Sequence, residues 1–166
     1  MTVTPSFTAG KQFFAAPLEV LEPEFLRLPM VFASPHSGSN YPDAFIADSR
    51  LGVDCLRKSE DCYVDELFSS VQNLGAPLLR ALYPRAFLDV NREPYELDPG
   101  MFSDTLPKHA NTKSIRVTAG LGTIARIVAT HREIYRRKLT FVEAENRINE
   151  IYKPYHSALR SLVRRA

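Results

Sequence analysis

The sequence has few cysteines, no long apolar run and almost no net charge, and each shortage excludes a class of protein. Cys55 and Cys62 are the only cysteines among the 166 residues. Two are too few for a disulfide framework, so we expect both thiols to stay reduced, as in a cytoplasmic protein. They do not form a C-x-x-C pair, which argues against a thiolate zinc site.

Membrane and nucleic-acid classes are also disfavoured. No stretch approaches the roughly 18 uninterrupted apolar residues of a membrane helix, and the first 20 residues lack the basic and apolar segments of a signal peptide. Lys and Arg total 21 against 19 Asp and Glu, a balance that offers no case for nucleic acid or an acidic membrane surface as a partner. The length and the 45% hydrophobic content are typical of one soluble globular domain.

Hydrophobic patterning predicts an α/β domain with a central sheet, because strand, helix and strand follow one another. The helix rests on Val64, Leu67, Phe68 and Val71, which follow the i, i+3, i+4, i+7 spacing of one apolar face. The predicted elements are an arm over 1–28 with one short strand, a strand over 31–34, short helical turns over 43–58, a helix from Ser59 to Gly75, strands over 77–82 and 85–90, short strands around a turn over 115–131, and C-terminal helices kinked or broken at Pro154.

His36 is the first candidate for chemistry, because it directly follows the strand that ends at Ser34. In open α/β sheets, ligands bind beyond the carboxyl ends of strands. Gly38 would let the backbone approach a ligand or metal closely. A turn histidine without chemical function is the commoner explanation for an isolated His.

Glu60 and Asp61 open the predicted helix, where acids often only complement the helix dipole. Asp61, however, lies three residues before Val64 and seven before Phe68, on the extension of the apolar face. A carboxylate directed toward a core must be paired or bound to a cation. His with carboxylates suits zinc, whose catalytic sites usually take three protein ligands. The spacing offers only two good candidates for zinc ligands.

The segment PRAFLDVNREP places Arg85, Asp89, Asn91 and Arg92 at the end of an apolar run. An arginine fork binds a carboxylate through two hydrogen bonds, and a neighbouring amide adds donors. A structural ion pair from Arg92 to a nearby glutamate explains the pattern about equally well.

Five segments, taken in order, resemble the N-formylglutamate amidohydrolase family from about residue 29 onward: SPHSGSNYP, RKSEDCYVDELF, LGAPLLRALYPRAFLDVNREPYELDPGMF, RVTAGLGTIARIV and YKPYHSAL. The resemblance implies an α/β domain over 29–166 with a mixed sheet flanked by helices, a phosphorylase/hydrolase-like fold shared with zinc carboxypeptidases and aspartoacylases. It implies hydrolysis of N-formylglutamate to formate and glutamate in histidine degradation.

By this resemblance His36 is the first zinc ligand, and Asp61 is the carboxylate ligand with Glu60 as its neighbouring rival. The DVNR motif is similar to an Asn–Arg pair that grips a substrate carboxylate, which assigns that role to Asn91 and Arg92. Arg85 is a second cationic contact. The expected partner is a small N-acylated acidic amino acid.

The resemblance places further functional groups after the C-terminal helix. In the family, the helix that ends PYHSALRSLV precedes a strand with DCHS, which supplies the second histidine ligand, and a general acid/base carboxylate comes later. The chain ends at Ala166, so it resembles the front part of the domain, and the catalytic groups are expected beyond Ala166. The alternatives are a related N-acyl amino acid deacylase or peptide amidase, and an inactive binding or scaffold fragment. Uncovered sheet edges would favour self-association.

Overall fold

A small mixed sheet and short helices form the part of the protein that the computed structural model describes, residues 15–128 and 131–166. The strands are β1 Leu18–Leu21, β2 Phe32–Ser34 and β3 Leu78–Ala81; the α-helices are α1 Asp43–Asp48, α2 Val53–Leu56, α3 Val64–Leu67, α4 Ile115–Thr118, α5 Phe141–Arg147 and α6 Lys153–Arg165. Tighter 3₁₀ turns cover Arg57–Ser59, Ser69–Leu74 and Pro99–Met101, and a π turn covers Ile148–Tyr152.

The sheet has the order β1–β3–β2, with β3 in the centre. β1 runs antiparallel to β3 and β2 runs parallel to it. Leu79 and Ala81 of β3 belong to the hydrophobic core. The α/β class with a mixed sheet is therefore confirmed, as are the strands expected over 31–34 and 77–82 and the short strand in the arm. The first 14 residues of that arm lie outside the described residues.

The predicted helix from Ser59 to Gly75 is wrong in extent. Only α3 and a following 3₁₀ turn are helical, and the side chain of Leu67 is 74% exposed. Tyr63 adopts a left-handed backbone with φ of 62°, a conformation that residues other than Gly rarely adopt. This turn keeps Glu60 and Asp61 out of the helix. Gly75 ends the helical segment with φ of 87°, as expected.

Two other strand predictions are wrong. Residues 85–90 contain no strand, because the chain turns after Pro84, whose carbonyl accepts from the amides of Phe87 and Leu88. The described residues within 115–131 contain the short helix α4, which Ser114 caps by accepting from the amide of Val117. Apolar side chains at both places are buried without being in a sheet.

The C-terminal helices close the core. Thr140 and Glu143 form a reciprocal capping box at the start of α5. The regular α-helix is interrupted by the π turn just before Pro154, as the sequence predicts. None of the helices in the described ranges combines the length and the apolar character needed to cross a bilayer.

Arg147, on the inner face of α5, is a buried cation. Its Nη1 atom donates to the Phe87 carbonyl at 3.0 Å and to the Tyr135 hydroxyl at 2.8 Å. Its guanidinium carbon lies 4.0 Å from the centre of the Phe87 ring, a distance typical of a cation–π contact. These contacts join α5 to the turn after Pro84.

Candidate functional site

His36 lies at the carboxyl end of β2, in a loop whose backbone is pressed against the end of β3. The amide of Asn40 donates to the Leu82 carbonyl at 2.9 Å. A Cβ on Gly38 would overlap the Tyr83 carbonyl oxygen, so only glycine fits. The close approach expected at Gly38 is thus made to the backbone of Leu82 and Tyr83, directly after β3, and not to a ligand or metal.

The imidazole of His36 is buried, and Asp89 binds it at Nε2, on the side opposite Asp61. His36 Nε2 lies 2.8 Å from Asp89 Oδ1, and the side chains are only 8% and 5% exposed. The amide of Asn91 donates to the same carboxylate oxygen. Because Asp89 accepts at Nε2, we assign the ring proton there, which leaves the lone pair of His36 on Nδ1.

Asp89 is itself surrounded by cations. Arg85 Nη2 lies 3.0 Å and Arg92 Nη2 3.4 Å from Asp89 Oδ2. Burial by itself raises the pKa of the Asp89 carboxyl, but the hydrogen bond to His36 and the charge of Arg85 outweigh burial and lower this pKa. Asp89 is therefore a buried carboxylate that stays ionised and fixes the ring orientation of His36.

Asp61 approaches the opposite side of the imidazole. Its Oδ2 atom lies 3.4 Å from His36 Nδ1, and its side chain is 51% exposed. The backbone is held in place, because the amide of Asp61 donates to the His36 carbonyl and the hydroxyl of Ser37 donates to the Asp61 carbonyl. Asp61 therefore lies in a loop clamped to the histidine loop, and not on the apolar face of a helix.

A lone pair on His36 Nδ1 and a carboxylate oxygen of Asp61 facing each other favour a shared cation. Imidazole nitrogen and carboxylate oxygen are ligands that zinc takes, and a histidine ligand normally donates its other N–H to a carboxylate, as His36 does to Asp89. Within residues 15–128 and 131–166, no group of three or more His, Cys, Asp or Glu side chains is arranged to hold a metal. The described residues thus offer a pair of ligands.

Glu60 is turned away from the histidine. Its carboxylate accepts from the Tyr41 hydroxyl and lies 3.3 Å from Arg57 Nε, and its side chain is 1% exposed. Burial and the hydrogen bond to Glu60 raise the pKa of Tyr41. The geometry therefore places Asp61, and not Glu60, against the imidazole of His36, and gives Glu60 an anchoring position in the loop.

The three predicted substrate-binding residues are divided between two cavities. Arg85, 25% exposed, lies on the wall of a cavity of about 320 Å³ together with Asp61 and Asp89. Asn91 and Arg92 line a separate cavity. The Arg92 side chain is only 8% exposed, and its guanidinium donates to the carbonyls of Leu121 and Asn91. The structure thus places Arg85 on the wall of the cavity beside Asp61, and Arg92 outside that cavity, in contact with Asp89.

The cavity beside Asp61 has a polar wall and an apolar wall. The polar wall comes from the loop over 58–61 and from Arg85, and the apolar wall includes Leu121, Ala125 and Ile127. The glycine-punctuated stretch over 120–124 therefore forms a wall of this cavity. Its role was missed from sequence, because a single G-x-G carries little information without neighbouring structure.

His156, the histidine of the YKPYHSAL segment, does not contact His36 or Asp61 in the described structure. Its Nε2 atom lies 2.8 Å from the Val90 carbonyl, and its ring stacks on Tyr152. Asp89, whose carboxylate contacts the imidazole of His36, is the residue to which the sequence pattern assigns no separate role. The available signal was its position, two residues before Asn91 in DVNR and directly after a buried apolar run.

Comparisons with known proteins identify the family and the fold of the chain. A family model described as N-formylglutamate amidohydrolase matches residues 28–166. The crystal structure of an N-formylglutamate amidohydrolase from Ralstonia eutropha JMP134 superposes with a TM-score of 0.83 and 37% sequence identity, over 90% of this chain and 52% of that one. The chain thus spans about half the length of this relative. No curated protein matches the chain.

Proposed function

Since the chain belongs to the N-formylglutamate amidohydrolase family, we propose that it provides the His36–Asp61 part of a zinc-dependent amidohydrolase site. The proposed reaction is hydrolysis of N-formyl-L-glutamate to formate and L-glutamate, in the cytoplasm, as a step of histidine degradation. The observation that carries the proposal is the pair of opposed ligand atoms, His36 Nδ1 and Asp61 Oδ2, 3.4 Å apart beside an open cavity.

The residues present fit a zinc ion. His36 and Asp61 would hold it, and a bound zinc supplies Lewis-acid chemistry that activates water and polarises an amide carbonyl near neutral pH. Asp89 holds the proton on His36 Nε2, so Nδ1 stays available as a ligand.

The cavity walls position the substrate. Arg85 presents its guanidinium to a carboxylate of the acyl amino acid, which fixes the scissile amide relative to Asp61 and His36. The side chains of Leu121 and Ile127 contact the apolar part of the substrate and exclude water. By the family resemblance, the second histidine ligand and the proton-transferring carboxylate are expected outside the described residues.

A second candidate function is metal or ligand binding without turnover. The observation that favours it is the presence of two, not three, clustered ligand side chains in the part of the chain that the structure describes. Incubation of zinc-loaded protein that carries the segments expected beyond Ala166 with N-formyl-L-glutamate separates the two, because only an amidohydrolase releases formate. Parallel assays with N-acetyl-L-glutamate and a peptide amide identify a deacylase or amidase of other specificity.

Zinc content tests the ligand assignment. In protein that carries the segments expected beyond Ala166, we expect zinc to be retained after dialysis and to be lost from His36→Ala, because half of the described ligand pair is removed. His109→Ala is the matched control, since His109 is exposed and packs only on neighbouring rings in the described structure. Equal zinc content in wild type and His36→Ala, measured by mass spectrometry, would remove His36 from the site.

We further propose self-association through the apolar side chains beside β2. Leu67 and Leu74 are 74% and 61% exposed, and Phe68 packs against Phe32 of β2. Exposed apolar patches of this kind favour protein contacts. A single monomeric peak in size-exclusion chromatography at high protein concentration would contradict this proposal.

A further inference from the structure

We propose that Lys58 is a specificity residue that binds the side-chain carboxylate of an acidic acyl amino acid in the cavity beside Asp61. This inference rests on the proposed function and extends it to the second carboxylate of the substrate. N-acylated glutamate carries two carboxylates, one on its α-carbon and one at the end of its side chain. A site that selects it over neutral amino acids needs two separate cationic contacts.

The cavity has two cations on its wall, Arg85 and Lys58. They come from different segments, Arg85 from the turn after Pro84 and Lys58 from the 3₁₀ turn that precedes Asp61. Arg85 is held by Asp89, so its planar fork has a fixed direction. Such a fork suits the α-carboxylate, whose place is set by the scissile amide.

Lys58 is available for a ligand. Among the described residues, no carboxylate pairs with it, whereas the preceding cation, Arg57, lies 3.3 Å from Glu60. The negative charge of Glu60 is thus already paired with Arg57, so Glu60 does not compete with a ligand for Lys58. A lysine ammonium is a compact charge on a flexible stem, which suits the end of a side chain that moves about single bonds.

The backbone that carries Lys58 is ordered by local hydrogen bonds. The Ser59 hydroxyl donates to the Leu56 carbonyl at 2.8 Å, and the amide of Glu60 donates to the Arg57 carbonyl at 2.9 Å. The apolar wall at Leu121 and Ile127 offers contact for the methylene groups of a glutamate side chain. At about 320 Å³ the cavity is of a size for a small ligand.

Paired ligands test the role of Lys58. Isothermal titration calorimetry measures binding of N-formyl-L-glutamate and of the nearly isosteric N-formyl-L-glutamine, whose side chain is uncharged, to the zinc-loaded full chain. Formate in each sample corrects for turnover. We expect tighter binding of the glutamate ligand by wild type. We expect Lys58→Met to weaken that ligand about tenfold and to leave the glutamine ligand within about twofold, since a hydrogen bond to a charged group is lost for only one of them.

Lys108→Met is the matched control, because Lys108 is exposed and does not line this cavity. Equal weakening of both ligands by Lys58→Met, or weakening of neither, would overturn the specificity role. Binding of both ligands by wild type without discrimination would also overturn it, yet leave the proposed amidohydrolase site standing. Failure of the zinc-loaded chain to bind either ligand would overturn both proposals.

Discussion

Two buried charge clusters, one around Asp89 and one around Arg147, show how differently a fold can compensate a charge. Asp89 is met by His36, Arg85 and Arg92, all through charged or polar atoms. Arg147 is met by a carbonyl, a tyrosine hydroxyl and aromatic rings, with no carboxylate within ion-pair distance in the described structure. Both side chains are almost inaccessible to solvent.

The difference between the clusters is their connection to the outside. The contacts of Asp89 continue through the imidazole of His36 to Asp61, which is half-exposed and borders the cavity. The contacts of Arg147 end in the core, at Phe87 and Tyr135. A buried charge can therefore have a structural or a functional role. What distinguishes the two clusters is that the contacts of Asp89 lead to the half-exposed Asp61, whereas those of Arg147 do not.

The largest effect is expected from Arg147→Ala. The substitution removes two hydrogen bonds and the cation–π contact and leaves a cavity between α5 and the turn after Pro84. We expect a loss of about 3 kcal/mol in the free energy of unfolding, measured by urea denaturation. Arg160→Ala, on an exposed position of α6, is the control and should change stability by less than about 0.5 kcal/mol.

The same variant tests whether the clusters are independent. Zinc bound per folded molecule should be equal in Arg147→Ala and wild type at a temperature where both are folded. A selective loss of zinc in Arg147→Ala would show that the cluster around Arg147 also positions His36. The two charge clusters would then not be independent.

Asp89→Asn should act on the metal as well as on the fold. The amide keeps the shape of the carboxylate but loses its charge, so it orients His36 Nε2 less firmly and leaves Arg85 and Arg92 undercompensated. We expect zinc affinity to fall about 10- to 100-fold, as for other partners of metal-binding histidines, in a chelator competition assay. Unchanged zinc affinity with reduced stability would make the Asp89 cluster as purely structural as that of Arg147.

The smallest effect is expected at the N-terminus of α5, the helix that ends at Arg147. Burial opposes ionisation of Glu143, but hydrogen bonds from Arg137 and Thr140 outweigh it and lower its pKa to about 2. Because the folded pKa is below the ordinary 4.5, Glu143 stabilises the fold above about pH 4.5, and this stabilisation is lost as the pH falls toward 2. Solvent screening keeps the contribution below about 1 kcal/mol.

Glu143→Gln measures this contribution. We expect the stability difference between wild type and Glu143→Gln, from thermal unfolding, to shrink as the pH is lowered from about 6 to about 3. Glu145→Gln, on the same helix but outside the capping box, is the control, and its stability difference should change less over this range. A pH-independent difference for Glu143→Gln would show that the capping geometry, and not the charge, stabilises α5.

Local rules account for the parts of the molecule that depend on neighbours in sequence. The β-branched and aromatic residues before Ser34 and the apolar residues after Pro77 predicted β2 and β3, and Pro154 predicted the interruption of the C-terminal helices. The same rules failed for 85–90, where apolar residues form a buried turn instead of a strand. Burial explains the failure, because an apolar run is compatible with any backbone that reaches the core.

The sequence alone determined the strand that ends before His36, the glycine that its loop requires, and the motifs that resemble one family. The tertiary structure alone decided which partners meet. It brought Asp89 to the imidazole across 53 residues, and turned Glu60 toward Tyr41 and Asp61 toward His36. It also placed Arg85 and Arg92, which both contact Asp89, on the walls of different cavities. Side-chain direction at a site depends on backbone turns, such as the left-handed Tyr63, and on long-range hydrogen bonds, neither of which is encoded in spacing along the chain.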